Sequence, residues 1–266
     1  MDAGLRRAAA FLEHDPLKNI VLLKTLFYYP RAVRCHFHEG PEAAGVLLLL
    51  PGGASPFDRR NYPDTDYVVF IAATHPGLLP ELLRHVPTRR SLLFKLMGPC
   101  QQAAAAALFS LERVNAFVSY TAPQDRPFVP ADGVTVSGIP DSACLNIYAA
   151  MGHSREELKD RFESGQALSF TVYKGDQPLA SCFTFPNYGT IHEIAGVYTV
   201  PRYRRSGLAR RVVETALHRL GHNGFLARYQ VQEDNRPSIR LAESIGLRYV
   251  VTYEHWRHAP AMKEAM

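Results

Sequence analysis

Between residues 168 and 200 apolar side chains alternate with polar ones, and at Pro201 the rhythm changes. Leu168, Phe170 and Val172 alternate with Ser169, Thr171 and Tyr173, which is the period of a strand with one buried face. Lys174-Gly175-Asp176-Gln177 supplies a turn, residues 179–185 return, and Asn187-Tyr188-Gly189 turns the chain again into a third strand over 190–200. Strands joined by turns this short pair antiparallel, so the stretch predicts a meander. After Pro201, Leu208, Val212, Val213, Ala216, Leu217 and Leu220 recur at helical spacing, with Arg210, Arg211, Glu214, Thr215 and Arg219 on the other face. Gly221 and Gly224 stop that helix, and residues 225–231 read as a strand. Asn235-Arg236-Pro237 opens a short helix whose inner face is Ile239, Ala242 and Ile245. Gly246 closes it before a last strand at 247–256. With a strand at 134–136 and helices at 141–151 and 154–163 in front, the order is β-α-α-β-β-β-α-β-α-β.

The first half repeats this order more faintly. Helical patterns over 3–13 and 17–28 precede strand-like runs at 32–38, 44–50 and 67–73. A helix near 78–85, a strand at 92–97, a helix at 101–112 and a strand at 115–120 follow. Between the halves, Ala122-Pro-Gln-Asp-Arg-Pro-Phe-Val-Pro130 is a linker by composition. The prediction is an α/β chain of two tandem domains, 1–121 and 131–266, with 122–130 between them. Each domain is a mixed, mostly antiparallel sheet flanked by helices.

Composition narrows the classes. The chain has 266 residues, 47% of them hydrophobic and 21% charged, enough apolar material for ordinary cores. The net charge of +5 is spread over both halves and does not demand nucleic acid. Cys35, Cys100, Cys144 and Cys182 have neither metal-ligand nor disulfide-framework spacing. Charged residues interrupt the N-terminal apolar patch, and the longest apolar run, 45–50, is far short of a membrane span. These features predict a cytoplasmic protein.

The chemistry concentrates where the third strand hands over to the helix, at Arg204-Arg205-Ser206-Gly207-Leu208-Ala209. The first turn of a helix carries amide N–H groups without partners and partial positive charge. Gly207 admits a phosphate to the backbone, and five arginines lie within 202–211 with no acid among them. The stretch predicts a pyrophosphate cradle on the amides of 205–210. No Gly-Lys-Ser/Thr follows, so it is not a Walker loop, and the three-glycine dinucleotide spacing is absent.

Residues 197–209, Val-Tyr-Thr-Val-Pro-Arg-Tyr-Arg-Arg-Ser-Gly-Leu-Ala, resemble motif A of the GCN5-related N-acetyltransferase (GNAT) superfamily. Its Gln/Arg-x-x-Gly-x-Gly/Ala pattern is met by Arg204, Gly207 and Ala209. Residues 235–247 resemble motif B, and the wording around Pro201 is nearest the glycine N-acyltransferase-like branch. The resemblance covers about residues 131–258. It implies acetyl-CoA or another acyl-CoA as co-substrate, transfer to a small amine or amino acid, no metal, and a monomer or homodimer with neither nucleic acid nor membrane as partner. It places the cofactor against Tyr198, Thr199 and Val200 of the strand and Arg204, Arg205, Ser206, Gly207, Leu208, Ala209 and Arg210 of the cradle. The pantetheine arm would pair with backbone near Tyr198 and Val200, and Asn235 and Ser238 would face it or the leaving sulfur. Asn235 reads equally well as a plain helix cap.

Glu193 is the candidate general base. It is in strand phase with Ile191, Ala195 and Val197, so apolar neighbours would make it a useful proton acceptor. The other reading is a strand glutamate in an ion pair. His192, on the opposite face by alternation, is the second candidate. Many superfamily members carry a tyrosine general acid where this chain has Ala242, which leaves Ser238, water or an unaided thiolate. The first half has Thr74-His75-Pro76-Gly77 in place of a cradle, so the resemblance implies a degenerate, cofactor-free copy of the fold there. His36, His38, His75 and His85 share no ligand spacing. The rival to an enzyme is a non-catalytic module of the same fold that senses or holds acyl-CoA.

Overall fold

The computed structural model describes residues 3–260 and divides the chain into two compact units. The division falls inside two strands, between Phe117 and Val118 and between Val250 and Val251.

The first unit runs α1 (Ala3–Leu12), α2 (Ile20–Tyr28), β1 (Arg34–Glu39), β2 (Ala44–Pro51), α3 (Pro56–Asn61), β3 (Tyr67–Ala73), α4 (Leu79–Leu83), β4 (Leu92–Leu96) and α5 (Pro99–Ala106). β1, β2 and β3 form an antiparallel meander, and β4 lies parallel to β3 over Tyr67–Phe70 and Leu92–Lys95. Leu47, Leu49, Val69, Ile71, Phe94 and Leu96 pack one face of this sheet against Leu79, Leu82 and Leu83 of α4. Helix α3 was not expected from periodicity, because it is one and a half turns long. Its signals are local, Ser55 accepting from Asp58 N and Pro56 in the first turn, and a distant contact adds to them, the ion pair of Asp58 with buried Lys95 at 2.7 Å. The helix expected over 101–112 is shorter, and Glu112 already opens β5 (Glu112–Thr121).

The second unit holds β6 (Thr135–Ser137), α6 (Ser142–Ala150), α7 (Arg155–Glu163), β7 (Leu168–Lys174), β8 (Gln177–Tyr188), β9 (Ile191–Thr199), α8 (Leu208–His222), β10 (Leu226–Gln232) and α9 (Arg236–Ile245). Its strand order is β6-β7-β8-β9-β10-β5. β6 to β9 pair antiparallel, and β10 joins β9 in parallel. Cys182, Ile194, Ala227 and Tyr229 face α8 and α9, where Val212, Val213, Ala216, Leu217, Ile239 and Ala242 complete the core. Phe183 on the other face packs with Tyr148, Leu158 and Phe162 of α6 and α7.

The expected domain boundaries need correcting at both ends. In β11 (Arg248–His258), residues 254–258 pair antiparallel with Leu92–Leu96 of β4, so the strand from Val251 onward belongs with the first unit. Residues 118–121 of β5 stand beside β10 in the second unit, where Thr121 Oγ1 donates to Ala227 O at 2.7 Å. Strand pairing runs through backbone groups that every residue carries, so sequence order alone does not reveal this exchange. The segment 122–130 is also no free linker. Arg126 Nη1 donates to Ile245 O at 3.3 Å, and His218 Nδ1 donates to Phe128 O at 2.8 Å.

Candidate functional site

The parallel register of β9 and β10 runs from Ile191–Leu226 to Ile194–Tyr229 and stops there, while β9 continues to Thr199. A fork opens in the sheet at that point. On the β8 side the register shifts between Ser181 and Phe183, which marks a bulge at Gly196 with φ +62°. A Cβ at Gly196 would stand 2.6 Å from the Phe183 ring and 2.9 Å from that of Tyr148, so glycine is required by both backbone and space.

Past the bulge, Val200 N–H donates to Leu179 O at 2.8 Å, and Val200 O accepts from Tyr203 N at 2.8 Å. Both Val200 groups are therefore engaged, and alternation turns the Tyr198 groups the same way, toward β8. By the same alternation the Val197 and Thr199 backbone groups turn away from β8. Thr199 O also receives Arg204 Nε at 3.4 Å.

The turn into α8 places Arg205 at φ +63° and Gly207 at φ +80°. Left-handed backbone at a non-glycine residue is strained and tends to persist where function holds it. Gly207 is the N-cap of α8, with no side-chain cap and no acid in the first turn. Its first intrahelical bond is Arg211 N to Gly207 O, so the N–H groups of Leu208, Ala209 and Arg210 have no helical partner. A Cβ on Gly207 would meet nothing within 4 Å. Of the five arginines, four already bond within the chain, Arg204 to Thr199 O as above. Arg202 reaches Gln177 at 3.1 Å, Arg210 pairs with Glu214 at 2.9 Å, and Arg211 donates to Asp132 O. Arg204 and Arg205 border the loop, while Ser206 Oγ turns back to Tyr203 O at 2.5 Å.

The expected base has charged and polar neighbours in place of the apolar ones. Glu193 is buried, and its Oε2 accepts from Arg228 Nη1 at 2.7 Å and from Asn187 Nδ2 at 2.5 Å. Arg228 is 3% exposed and reaches on to Ser119 Oγ at 3.1 Å. Asn187, Glu193, Arg228 and Ser119 thus form one polar row across β8, β9, β10 and β5. The ion-pair reading of Glu193 is the one the geometry displays. His192 lies on the other face, stacked on Phe225 with centroids 4.0 Å apart, and burial pulls its pKa below the usual imidazole range.

Asn235 caps α9, accepting from Ser238 N at 3.3 Å. Ser238 Oγ lies 2.6 Å from the hydroxyl of Tyr229, whose pKa burial pushes up to about 12. Ala242, one turn further along the same helix face, is fully buried. Sequence reasoning missed Arg228, Asn187, Tyr229 and Gly196. Arg228 had a signal, a lone cation between Ala227 and Tyr229 in a strand otherwise fit for burial.

Residues 143–247 match the model of the Acetyltransferase (GNAT) family. No curated protein matches the chain. Similar solved structures include an acetyltransferase from the GNAT family of Colwellia psychrerythraea (TM-score 0.59, 11% identity, 95% of this chain and 95% of that one). A GCN5-related N-acetyltransferase from Sphaerobacter thermophilus has a TM-score of 0.57 at 14% identity, over 95% of this chain and 90% of that one. A tandem GNAT protein from the clavulanic acid biosynthesis pathway has a TM-score of 0.55 at 16% identity, over 98% and 94%. At these identities the likeness is one of fold.

Proposed function

We propose that the chain is an acyl-CoA-dependent N-acyltransferase, with acetyl-CoA as the donor and a small amine or amino acid as the acceptor. The observation that carries this reading is the uncapped start of α8 beside the fork between β9 and β10, inside the segment that matches the GNAT family model. The residues fit the donor. Three unpartnered N–H groups, the open space at Gly207, and Arg204 and Arg205 suit a pyrophosphate. The edge groups of Val197 and Thr199 suit an amide-bearing arm. The wording of residues 197–209 favours the glycine N-acyltransferase-like branch, and a cytoplasmic monomer or homodimer belongs to the same proposal, with no nucleic acid or membrane as partner.

In the reaction the amine nitrogen attacks the thioester carbon, a C–N bond forms, the C–S bond breaks, and the electron pair leaves on sulfur. The amides at the start of α8, with Arg204 and Arg205 beside them, would hold the donor by its phosphates. The amine proton passes to water. Glu193 acts as part of the row that fixes β9 against β10 just before the fork, because its Oε2 is already taken by Arg228 and Asn187. The first unit enters as a copy of the fold without a cradle.

Calorimetry with CoA on Gly207→Ala and Gly207→Glu tests the cradle. Both variants place a Cβ at φ +80°, so both carry the same backbone strain. Only Glu brings bulk and negative charge to the phosphate position. CoA affinity should fall by on the order of tenfold more in the Glu variant than in the Ala variant. Equal affinities would show that the phosphates bind elsewhere. Thiol release from acetyl-CoA over a panel of amines then separates an enzyme from a silent CoA-binding module.

A further inference from the structure

The far end of α8 borders a cavity that acyl transfer does not use. Its volume is about 550 Å³, and residues 122–128 face His218, Gly221 and His222 of α8 across it, with Phe225 beside them. All of these residues belong to the second unit. His218 and His222 are four residues apart in one continuous helix, so their side chains share a face, one turn apart. The two rings are nearly parallel, with planes 23° apart and centroids 6.0 Å apart. Two imidazoles bound through nitrogen to one tetrahedral zinc, by bonds of about 2.1 Å, have centroids roughly 5 Å apart. The observed spacing is close to that of a shared metal. His222 is free to close the difference, because it is exposed and its ring makes no hydrogen bond among the described residues.

His218 is already oriented for ligation. Its Nδ1 lies 2.8 Å from Phe128 O, and a carbonyl oxygen can only accept. The hydrogen of the neutral ring therefore sits on Nδ1, and Nε2 keeps a bare lone pair. A ring nitrogen that donates to a backbone carbonyl while the other carries the metal is the common support of a histidine ligand. The C-terminal end of a helix also carries partial negative charge, which favours a cation there. The carboxylate on the cavity wall, Asp125, is engaged elsewhere, since both of its oxygens accept from Arg248 Nη2 at 2.8 Å. Among the described residues no third histidine, cysteine or acid joins the pair.

We propose that His218 and His222 form a site for a divalent transition metal, with two protein ligands and water in the remaining positions. Imidazole donors suit zinc, copper or nickel, whereas magnesium and calcium take oxygen. His218-Arg-Leu-Gly-His222 lacks the glutamate of a helical zinc-protease pair, so the ion has no base beside it and its work is mechanical. An ion on Nε2 makes Nδ1–H a stronger donor to Phe128 O, and so ties residues 122–128 to α8. The site lies along α8 from Gly207 by about 16 Å, apart from the cradle, and does not depend on the acyltransferase reading.

The test is calorimetry with Zn²⁺ on the metal-stripped chain: wild type, His222→Ala, His218→Ala and His36→Gln. His222 is exposed and bonds to nothing, so its removal leaves the fold intact. Outer-shell partners of metal ligands are worth tenfold to a hundredfold in affinity, so loss of a ligand itself should weaken Zn²⁺ binding by at least about a hundredfold. His36→Gln breaks the other close imidazole pair, His36 on His85 at 4.2 Å, and should leave Zn²⁺ affinity unchanged. Zn²⁺ should raise the melting temperature of wild type but not of His222→Ala, and excess Mg²⁺ should not compete. Equal Zn²⁺ affinity in wild type and His222→Ala overturns the proposal. So does loss of binding in His36→Gln, or a wild type that binds no Zn²⁺ at millimolar concentration.

Discussion

Glu193 and Arg228 are side chains 9% and 4% exposed, joined at 2.7 Å. At that depth the pair is a commitment of two charges to each other, because either one alone would be stranded in low dielectric. Glu193→Gln keeps the shape and removes the charge, and it leaves Arg228 uncompensated. The expected loss of stability is about 3–5 kcal/mol, read by urea denaturation. A second change, Arg228→Gln, should restore part of that loss, so the two single effects should not add. A direct general base predicts otherwise: near-normal stability of Glu193→Gln with turnover reduced by roughly two to four orders of magnitude and recovering at high pH. Measuring denaturation and the pH–rate profile on one preparation decides between them. Additive losses in the double variant would show that the pair does not couple.

Among elements, the two positive-φ glycines of the site do different jobs. Gly207 turns the chain into α8 with open space around it, whereas Gly196 makes the bulge in β9 under the rings of Phe183 and Tyr148. Gly207→Ala adds only backbone strain, about 1–2 kcal/mol. Gly196→Ala adds a methyl group at 2.6 Å from a buried ring, and overpacking costs about 1–3 kcal/mol on top of the same strain. Gly196→Ala should be the less stable of the two by thermal melting, and a reversed order would remove the bulge from the account. This contrast also marks what was legible in the sequence. The meander, the change of period at Pro201 and the glycine turn into α8 were readable because each is local: alternation, a stripe, a small residue before a helix. The bulge was not, since Gly196 looks in sequence like any glycine in a strand. Nor was the partner of Glu193, because strand phase predicts which face a side chain takes but not what stands on the next strand. Arg228 lies 35 residues away.

At the scale of the whole chain, the units follow strand pairing and ignore sequence order. Residues 118–121 complete the second unit, where Tyr120 is buried in the α8 and α9 core, Ser119 holds Arg228 Nη2 at 3.1 Å, and Thr121 bonds Ala227. Residues 126 and 128 add bonds from Arg126 to Ile245 and from His218 to Phe128. A fragment cut where composition suggests, 131–266, loses all of these. It bares the β10 edge, leaves Arg228 Nη2 without its serine, and empties the place of a tyrosine whose burial contributes about 1.5–3 kcal/mol. It also carries a tail, 251–258, that belongs beside β4. A strand left with an unpaired edge is an aggregation template. A fragment cut by the units, 118–250, keeps every one of these contacts and ends before that tail. The expected outcome is that 118–250 gives a cooperative melt and binds CoA with an affinity near that of the intact chain, whereas 131–266 is insoluble or melts without cooperativity. Calorimetry and amide spectra on the two fragments decide the matter. A 131–266 fragment that matches 118–250 in melting temperature and CoA affinity would show that residues 118–130 are dispensable and that the boundary lies where the composition changes.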